Sequence, residues 1–399
     1  FKVVANEILS RLEPLEGLLL PGENLDGATS KDQVRAVHEA LAAEQAVSFF
    51  PAGEVSRLYL QGVRDGRWNA GCLRFAARAK APLLPVHIQA RNSTLFYGAS
   101  WLHKPLSALL LVQEMFQQRA HTIGIRGGEI IPADGLARPG IRKRVLVKMV
   151  RRHVYRIGNG KPGVFATERA IAHPQPRQRL KDELKQAQRI GTTRDQKAIY
   201  LVDYAPDSAL IKEIGRLREL SFRKVGEGTG ARRDLDSFDR IYRHLVLWDD
   251  EALEIAGAYR MGETREILTQ AGLDGLYSHT LFELDDTFAA YCADALELGR
   301  SFVQPAYWGS RALDYLWQGI GAYLRTHPHV RRLYGPVSIS DSYPKAARDA
   351  LVHYYSRHYG AGEPRVSPRF PYELEAGAQV ALQRLMPGRD PAADFQSLR

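Results

Sequence analysis

Six charged residues in the C-terminal half fall on stretches that are otherwise apolar: Arg218 in "GRLRELSF", Asp236 and Asp239 in "DLDSFD", Arg260 in "GAYRM", and Glu297 with Arg300 in "LELGRSF". Carboxylates accept protons and hydrogen bonds, and guanidinium forks pair with them or with other anions. A set of this kind builds either a reactive pocket or a structural network of buried ion pairs, and spacing alone does not choose. Alternation adds one condition. On a regular strand, residues three apart point to opposite faces, so Glu297 and Arg300 share a pocket only if their strand is bulged or splayed.

The N-terminal half holds a second candidate, "FFPAGEVSR" at residues 49–57. Pro51 and Gly53 allow a tight turn, while Glu54, Ser56 and Arg57 supply an acceptor, a hydroxyl and a phosphate-pairing fork. That chemistry suits a phosphorylated or polar alcohol. The plainer reading is a solvated ion pair.

The elements that must position these groups follow from periodicity. "SKDQVRAVHEALAAEQ" has a capping-box pattern at Ser30 and Gln33 and reads as a helix, leading into a short strand "AVSFF" that ends at the Pro51/Gly53 loop. "APLLPVHIQA" and "HTIGIRGGEIIP" read as strands around a helix near Leu106–Phe116, the alternation of an α/β domain. A polar stretch rich in proline at its start divides the chain, giving a first domain at 1–172, a linker at 173–195 and a second domain at 196–399. Beyond it, "AIYLVDY" is a strand and "DSALIKEIGRLRELSFRKV" a helix. "HLVLWD", "EIAGAYRM", "LYSHTLFEL" and "LELGRSFVQ" read as successive strands before a helix in "SRALDYLWQGIGAYLRTH", an α+β pattern.

The 399 residues carry a formal charge of +10, which favours an anionic partner such as nucleic acid, a lipid surface or an acidic carrier protein. Two distant cysteines, Cys72 and Cys292, argue against a disulfide framework or a zinc site and fit a reducing cytoplasm. No apolar run reaches the roughly 18 residues of a spanning helix, so membrane contact is expected to be peripheral, at the inner face of the cytoplasmic membrane. The basic run Arg142, Lys143, Arg144, Lys148, Arg151 and Arg152 would aid that contact, or else be a solvated linker helix.

"FFPAGEVSR" resembles the Phe-Pro-Glu-Gly-Thr-Arg-Ser block of glycerolipid acyltransferases, with Ala52 at the usual Glu position, and "APLLPVHI" resembles their later Val-Pro-Val strand. The resemblance implies an O-acyltransferase-like α/β domain. Those enzymes use a His and, after four intervening residues, an Asp upstream of the block as base, and no such pair precedes Phe49. The domain is therefore expected to be incomplete, with its dyad on residues outside this sequence. His244 and Asp249 in "HLVLWD" have the spacing but read as coincidence on an alternating strand.

The second half resembles the GNAT acyltransferase fold, and within it the acyl-homoserine-lactone synthases and ornithine-lipid N-acyltransferases. The likeness rests on Arg218 with Phe222, Asp236 with Asp239, Tyr259 with Arg260, and Glu297 with Arg300, in that family's order. It implies amide formation. Glu297 would take the amine proton, Asp236 and Asp239 would orient the acceptor, and Arg218, Arg260 and Arg300 would brace the pocket. Phe302, Tyr307, Trp308 and Trp317 could line an acyl channel, although aromatic residues at such spacing are more often plain core. Where ordinary GNAT enzymes have a glycine-rich pyrophosphate loop, "AYWGSR" offers only Gly309. This points to acyl carrier protein rather than coenzyme A as donor, with no permanently bound cofactor.

The expected protein is thus a lipid acyltransferase resembling the bifunctional ornithine-lipid synthases, transferring a 3-hydroxyacyl group to ornithine or a similar amino acid. A lysophospholipid O-acyltransferase, an acyl-homoserine-lactone-type synthase, and a non-catalytic basic protein binding membranes or nucleic acid stand as alternatives. The interleaved basic and aromatic face that nucleic-acid binding would need is not evident.

Overall fold

The computed structural model describes residues 1–5, 17–21, 31–60, 62–102, 104–117, 119, 122–136, 140–340, 343–360, 366–375, 377–386, 388, 390–396 and 398. It divides into two compact units, Phe1–Ala170 and Ile171–Arg399.

In the first unit, β1 (Lys2–Ala5) pairs in parallel with β2 (Leu19–Pro21) and with β3 (Val47–Ser48). The helix Lys31–Ala42 leads into β3, and the loop from Phe49 to Ser56 follows that strand's C-terminal end. Two antiparallel pairs come next. β4 (Arg57–Tyr59) forms a hairpin with β5 (Gly62–Arg64), and β6 (Val86–Gln89) pairs with β7 (Gly124–Gly127) across the helices Thr94–Leu102 and Lys104–Gln117. The core of the unit gathers Leu73, Ile131 and Leu136 against Leu146, Val147 and Val150 of the helix Lys143–Gly158. Leu146 and Val147 lie four and three residues before Val150, as one buried helical face requires.

The second unit is built on a six-stranded sheet in the order β14–β13–β11–β10–β9–β8, comprising β8 (Gln188–Thr192), β9 (Ala198–Val202), β10 (Arg243–Asp249), β11 (Glu254–Glu263), β13 (Ala295–Val303) and β14 (Arg332–Tyr334). All neighbours are antiparallel except β13 and β14, which run parallel. Side-chain alternation sorts the core to both faces. Val246 and Trp248 pack with the helix Ala209–Lys224, and Leu245 and Leu247 pack with the helix Ala312–Thr326. Gly319 lets the latter helix lie close, since a Cβ there would meet Leu245 and Ile199 at about 3 Å. Helices therefore cover both faces of the sheet, the mixed architecture expected.

Two stretches fold differently from their sequence reading. Residues 173–195, expected as linker, supply the helix Arg177–Leu184 and the edge strand β8. Leu180 and Leu184, four apart directly after Pro176, reach the core of the second unit. "LYSHTLFEL", expected as a strand, forms a single 3₁₀ turn at Tyr277–Thr280, and only β12 (Phe282–Leu284) is extended, paired with β15 (Val366–Pro368). The hydroxyls explain the change. Thr280 Oγ1 donates to the Tyr277 carbonyl at 2.7 Å, and Ser278 is engaged elsewhere, so local side-chain bonds displace the ladder.

Candidate active site

The site begins on the helix Ala209–Lys224. Its Ser208 cap accepts from the Ile211 N–H, and Glu183 accepts from the Ala209 and Leu210 N–H groups, so the helix start is fixed. Arg218 lies on the buried face of this helix. Its Nη1 donates to Asp239 Oδ1 at 3.1 Å and to the Asp234 carbonyl at 3.2 Å.

Asp236 and Asp239 cap a 3₁₀ turn, Ser237–Arg240, reciprocally: Asp236 accepts from the Phe238 and Asp239 N–H groups, and Asp239 accepts from the Asp236 N–H. The capping leaves both carboxylates facing guanidiniums. Arg260, on β11, donates to Asp236 at 2.6 Å and lies 3.5 Å from Asp239. Arg300 lies 3.4 Å from Asp234 and 3.6 Å from Asp236. Three guanidiniums therefore meet three aspartates.

The condition on Glu297 and Arg300 is met. Ala258 pairs with Phe302 but Arg260 with Gly299, so β13 carries one extra residue, and Arg300 sits there at a φ of 49°, in the left-handed region. The turn Tyr277–Thr280 joins the two. Glu297 accepts from the Tyr242 hydroxyl, from the Ser278 N–H at 2.7 Å and from the Ser278 hydroxyl. The neighbouring Tyr277 ring lies 5.1 Å from the Arg260 guanidinium carbon and 5.2 Å from that of Arg300.

Electrostatics follow from this crowding. Burial pushes the Arg218 guanidinium downward against the pull of Asp239. Burial also pushes Asp239 upward, but Arg218 and Arg260 outweigh it and its carboxyl sits below the ordinary range. Asp234 is raised, chiefly by burial. The Tyr242 hydroxyl is pushed well up by burial and by the Glu297 charge, so it stays a donor. His244, on β10 behind the cluster, is fully buried with neither ring nitrogen hydrogen-bonded, and burial with the nearby Arg218 charge drives it down to about 3. Asp249 is bound instead to Lys197 and Tyr307, so His244 and Asp249 form no dyad.

Among the described residues, no group of three or more histidines, cysteines or acids is placed to hold a metal. What the arrangement offers is an acceptor, Glu297, supported by three donors beside a charge-balanced cluster. It also offers an opening. β13 pairs with β14 only from Ala295 to Glu297, and continues to Val303 without a strand partner on that side among the described residues.

The remaining expected residues are dispersed. Phe302 is buried in the core under the helix Ala209–Lys224, and Phe222, on the last turns of that helix, packs against the same core partly buried. Trp317 meets Tyr259 edge-on, and Tyr259 packs with the opposite core, against the helix Ala312–Thr326. The Tyr307 hydroxyl bonds Asp249 and Glu254, and Trp308 Nε1 donates to the Val303 carbonyl at 2.8 Å. Phe302 and Trp317 thus belong to different faces of the sheet, and the four aromatics do not line one wall. In the first unit, Arg57 pairs with Glu54 at 3.1 Å, the plain ion pair, and Ser56 donates to Asp65.

Asp234, Tyr242, Tyr277 and Ser278 were not singled out from the sequence, and His244 was named there only for its spacing to Asp249. Asp234 had a signal, the acid spacing of "DLDSFD". Tyr277 and Ser278 did not, because they sit in the segment read as a strand.

Comparison with known proteins places this geometry. Residues 1–162 match the acyltransferase family model and residues 217–318 the acetyltransferase (GNAT) domain model. The protein is an acyltransferase, with an O-acyltransferase-like domain followed by a GNAT domain. Among curated proteins it is 34% identical over 223 residues to a glycine N(alpha)-acyltransferase of Phocaeicola vulgatus, covering 53% of this chain and 68% of that one. It is 33% identical over 144 residues to an L-ornithine N(alpha)-acyltransferase of Brucella abortus, covering 32% and 50%. It is 31% identical over 137 residues to a lyso-glycine lipid O-acyltransferase of Bacteroides thetaiotaomicron, covering 33% and 50%. The chain belongs to the family of amino-acid N(alpha)-acyltransferases. No solved structure matches it with significance.

Proposed function

We propose that the second unit transfers a 3-hydroxyacyl group from acyl carrier protein to the α-amine of glycine. The observation that carries the reading is the edge of β13 beyond Glu297, the last residue of that strand paired with β14. A phosphopantetheine arm can lie along that edge, pairing its amides with the strand and presenting its thioester next to the carboxylate. Glu297 takes the amine proton, directly or through the Ser278 hydroxyl. The amine then attacks the carbonyl, the C–N bond forms, the C–S bond breaks, and the thiolate leaves with a proton.

Two further observations support the choice of substrates. Ornithine brings a second ammonium that needs a carboxylate, and Asp234, Asp236 and Asp239 are each within 3.4 Å of an arginine nitrogen already. Glycine makes no such demand, and the glycine N(alpha)-acyltransferase of P. vulgatus matches over the longer stretch. At the start of the helix Ala312–Thr326, the Ala312 N–H is bonded by Ser310 Oγ at 3.2 Å and Arg311 faces Asp314. A pyrophosphate nest is thus partly occupied, which favours a carrier-bound donor over coenzyme A. The first unit, by its likeness to the lyso-glycine lipid O-acyltransferase, would O-acylate the hydroxyl of the product.

Purified protein with 3-hydroxyacyl carrier protein and either amino acid tests this by mass spectrometry of the amide. Expected is a kcat/KM for glycine at least about tenfold above ornithine, and a loss of about 10²–10⁴-fold in kcat for Glu297→Gln. Faster acylation of ornithine would overturn the acceptor. An undiminished Glu297→Gln rate would overturn the mechanism.

A further inference from the structure

The hairpin β4–β5 ends in an apolar tip. Leu58 is 49% exposed, Tyr59 47%, and Leu60 is fully exposed. Arg57 and Arg64 stand opposite each other across the hairpin. Such a tip in water gains nothing from the fold of its own unit.

The helix Lys143–Gly158 has the complementary character. Leu146, Val147, Val150 and Val154 are buried, while Arg144, Lys148 and Arg152, spaced by four, form one outward row. Arg142 and Lys143 are exposed at its start, and no acid occurs between 142 and 158.

Asp65, directly after β5, fastens the hairpin to this helix. Its N–H donates to the Tyr155 hydroxyl at 2.9 Å, its carbonyl accepts from Arg151 at 2.7 Å, and its carboxylate accepts from Ser56 and from Trp68 Nε1. Arg151 and Tyr155 lie three positions along from Lys148 and Arg152, on the adjoining flank. An apolar projection is thereby tied to a cationic row.

We propose that the hairpin tip and the basic row together dock this protein on an anionic lipid bilayer. An acidic carrier protein would satisfy the cations and leave Leu58, Tyr59 and Leu60 in water. A bilayer satisfies both, the leucines entering the acyl boundary, Tyr59 at the headgroup level and the cations against lipid phosphates. The proposal holds whichever amino acid the second unit acylates.

The test is co-sedimentation of the full chain with phosphatidylcholine vesicles prepared with and without phosphatidylglycerol. Binding is expected only with phosphatidylglycerol and is weakened by salt. Each cation removed should weaken partition about fivefold, so the combined Arg144→Gln, Lys148→Gln and Arg152→Gln variant loses about a hundredfold. Leu58→Ser with Leu60→Ser should lose roughly tenfold. Variants are compared only where their urea unfolding matches the parent, and Leu60→Trp should fluoresce bluer on vesicle addition. Loss in only one of the two variant sets, or no vesicle binding while purified acyl carrier protein is retained through the basic row, overturns the proposal.

Discussion

The same two kinds of group, a carboxylate and a guanidinium, behave differently in the two units. In the first, Glu54 on the loop after a turn pairs with Arg57 at the start of β4, the Glu54 side chain reaching solvent. In the second, Arg218 and Asp239 pair where neither side chain reaches solvent, surrounded by Arg260, Asp236 and His244. The loop pair is screened by water and forms because the residues are near in sequence. The buried pair exists because two elements 21 residues apart converge, and each partner then depends on the other for its charge. Spacing in the chain detects the first kind of pair, and only the fold makes the second.

This contrast can be broken experimentally. Arg218→Ala strands Asp239 as a buried charge, and should lower stability by about 3–5 kcal/mol in urea unfolding. Tyr242→Phe removes the hydroxyl donated to Glu297 and should lower stability by about 1.5–3 kcal/mol, with kcat falling more than KM changes. His244 supplies a pH signature. Because its folded pKa lies near 3, below the unfolded value, its contribution is fully present above about pH 6.5 and is lost as pH falls from there toward 3. The slope attributable to it is about 1.4 kcal/mol per pH unit, and His244→Phe should flatten the unfolding-versus-pH curve by up to that amount. Asp239, also depressed, loses stability in the same direction at lower pH, so the difference between variant and parent isolates the histidine. Glu54→Gln in the first unit should shift stability by under about 1 kcal/mol.

Much of the second unit was legible because its strands are apolar runs and its helices have strong periods. "HLVLWD" and "EIAGAYRM" are short, largely apolar runs buried on both faces, and the helix Ala209–Lys224 shows both its cap and its apolar stripe. The six charged residues were legible as exceptions to those stripes. The bulge at Arg300 could be framed only as a condition, since nothing in "LELGRSF" marks where a strand gains a residue. Tyr277 and Ser278 escaped because aromatic and hydroxyl residues in "LYSHTLFEL" favour a strand locally, while a distant carboxylate on β13 selects the turn. The helix at Arg177–Leu184 was hidden by polar residues, only two of its eight being core leucines.

The turn at Tyr277–Thr280 serves two masters one residue apart: the ring of Tyr277 belongs to the guanidiniums, and the amide of Ser278 to Glu297. Neither can be displaced without dragging the other. An inserted or deleted residue there would put the acceptor pocket and its proton store out of step, so length, more than composition, is the property this short segment must keep.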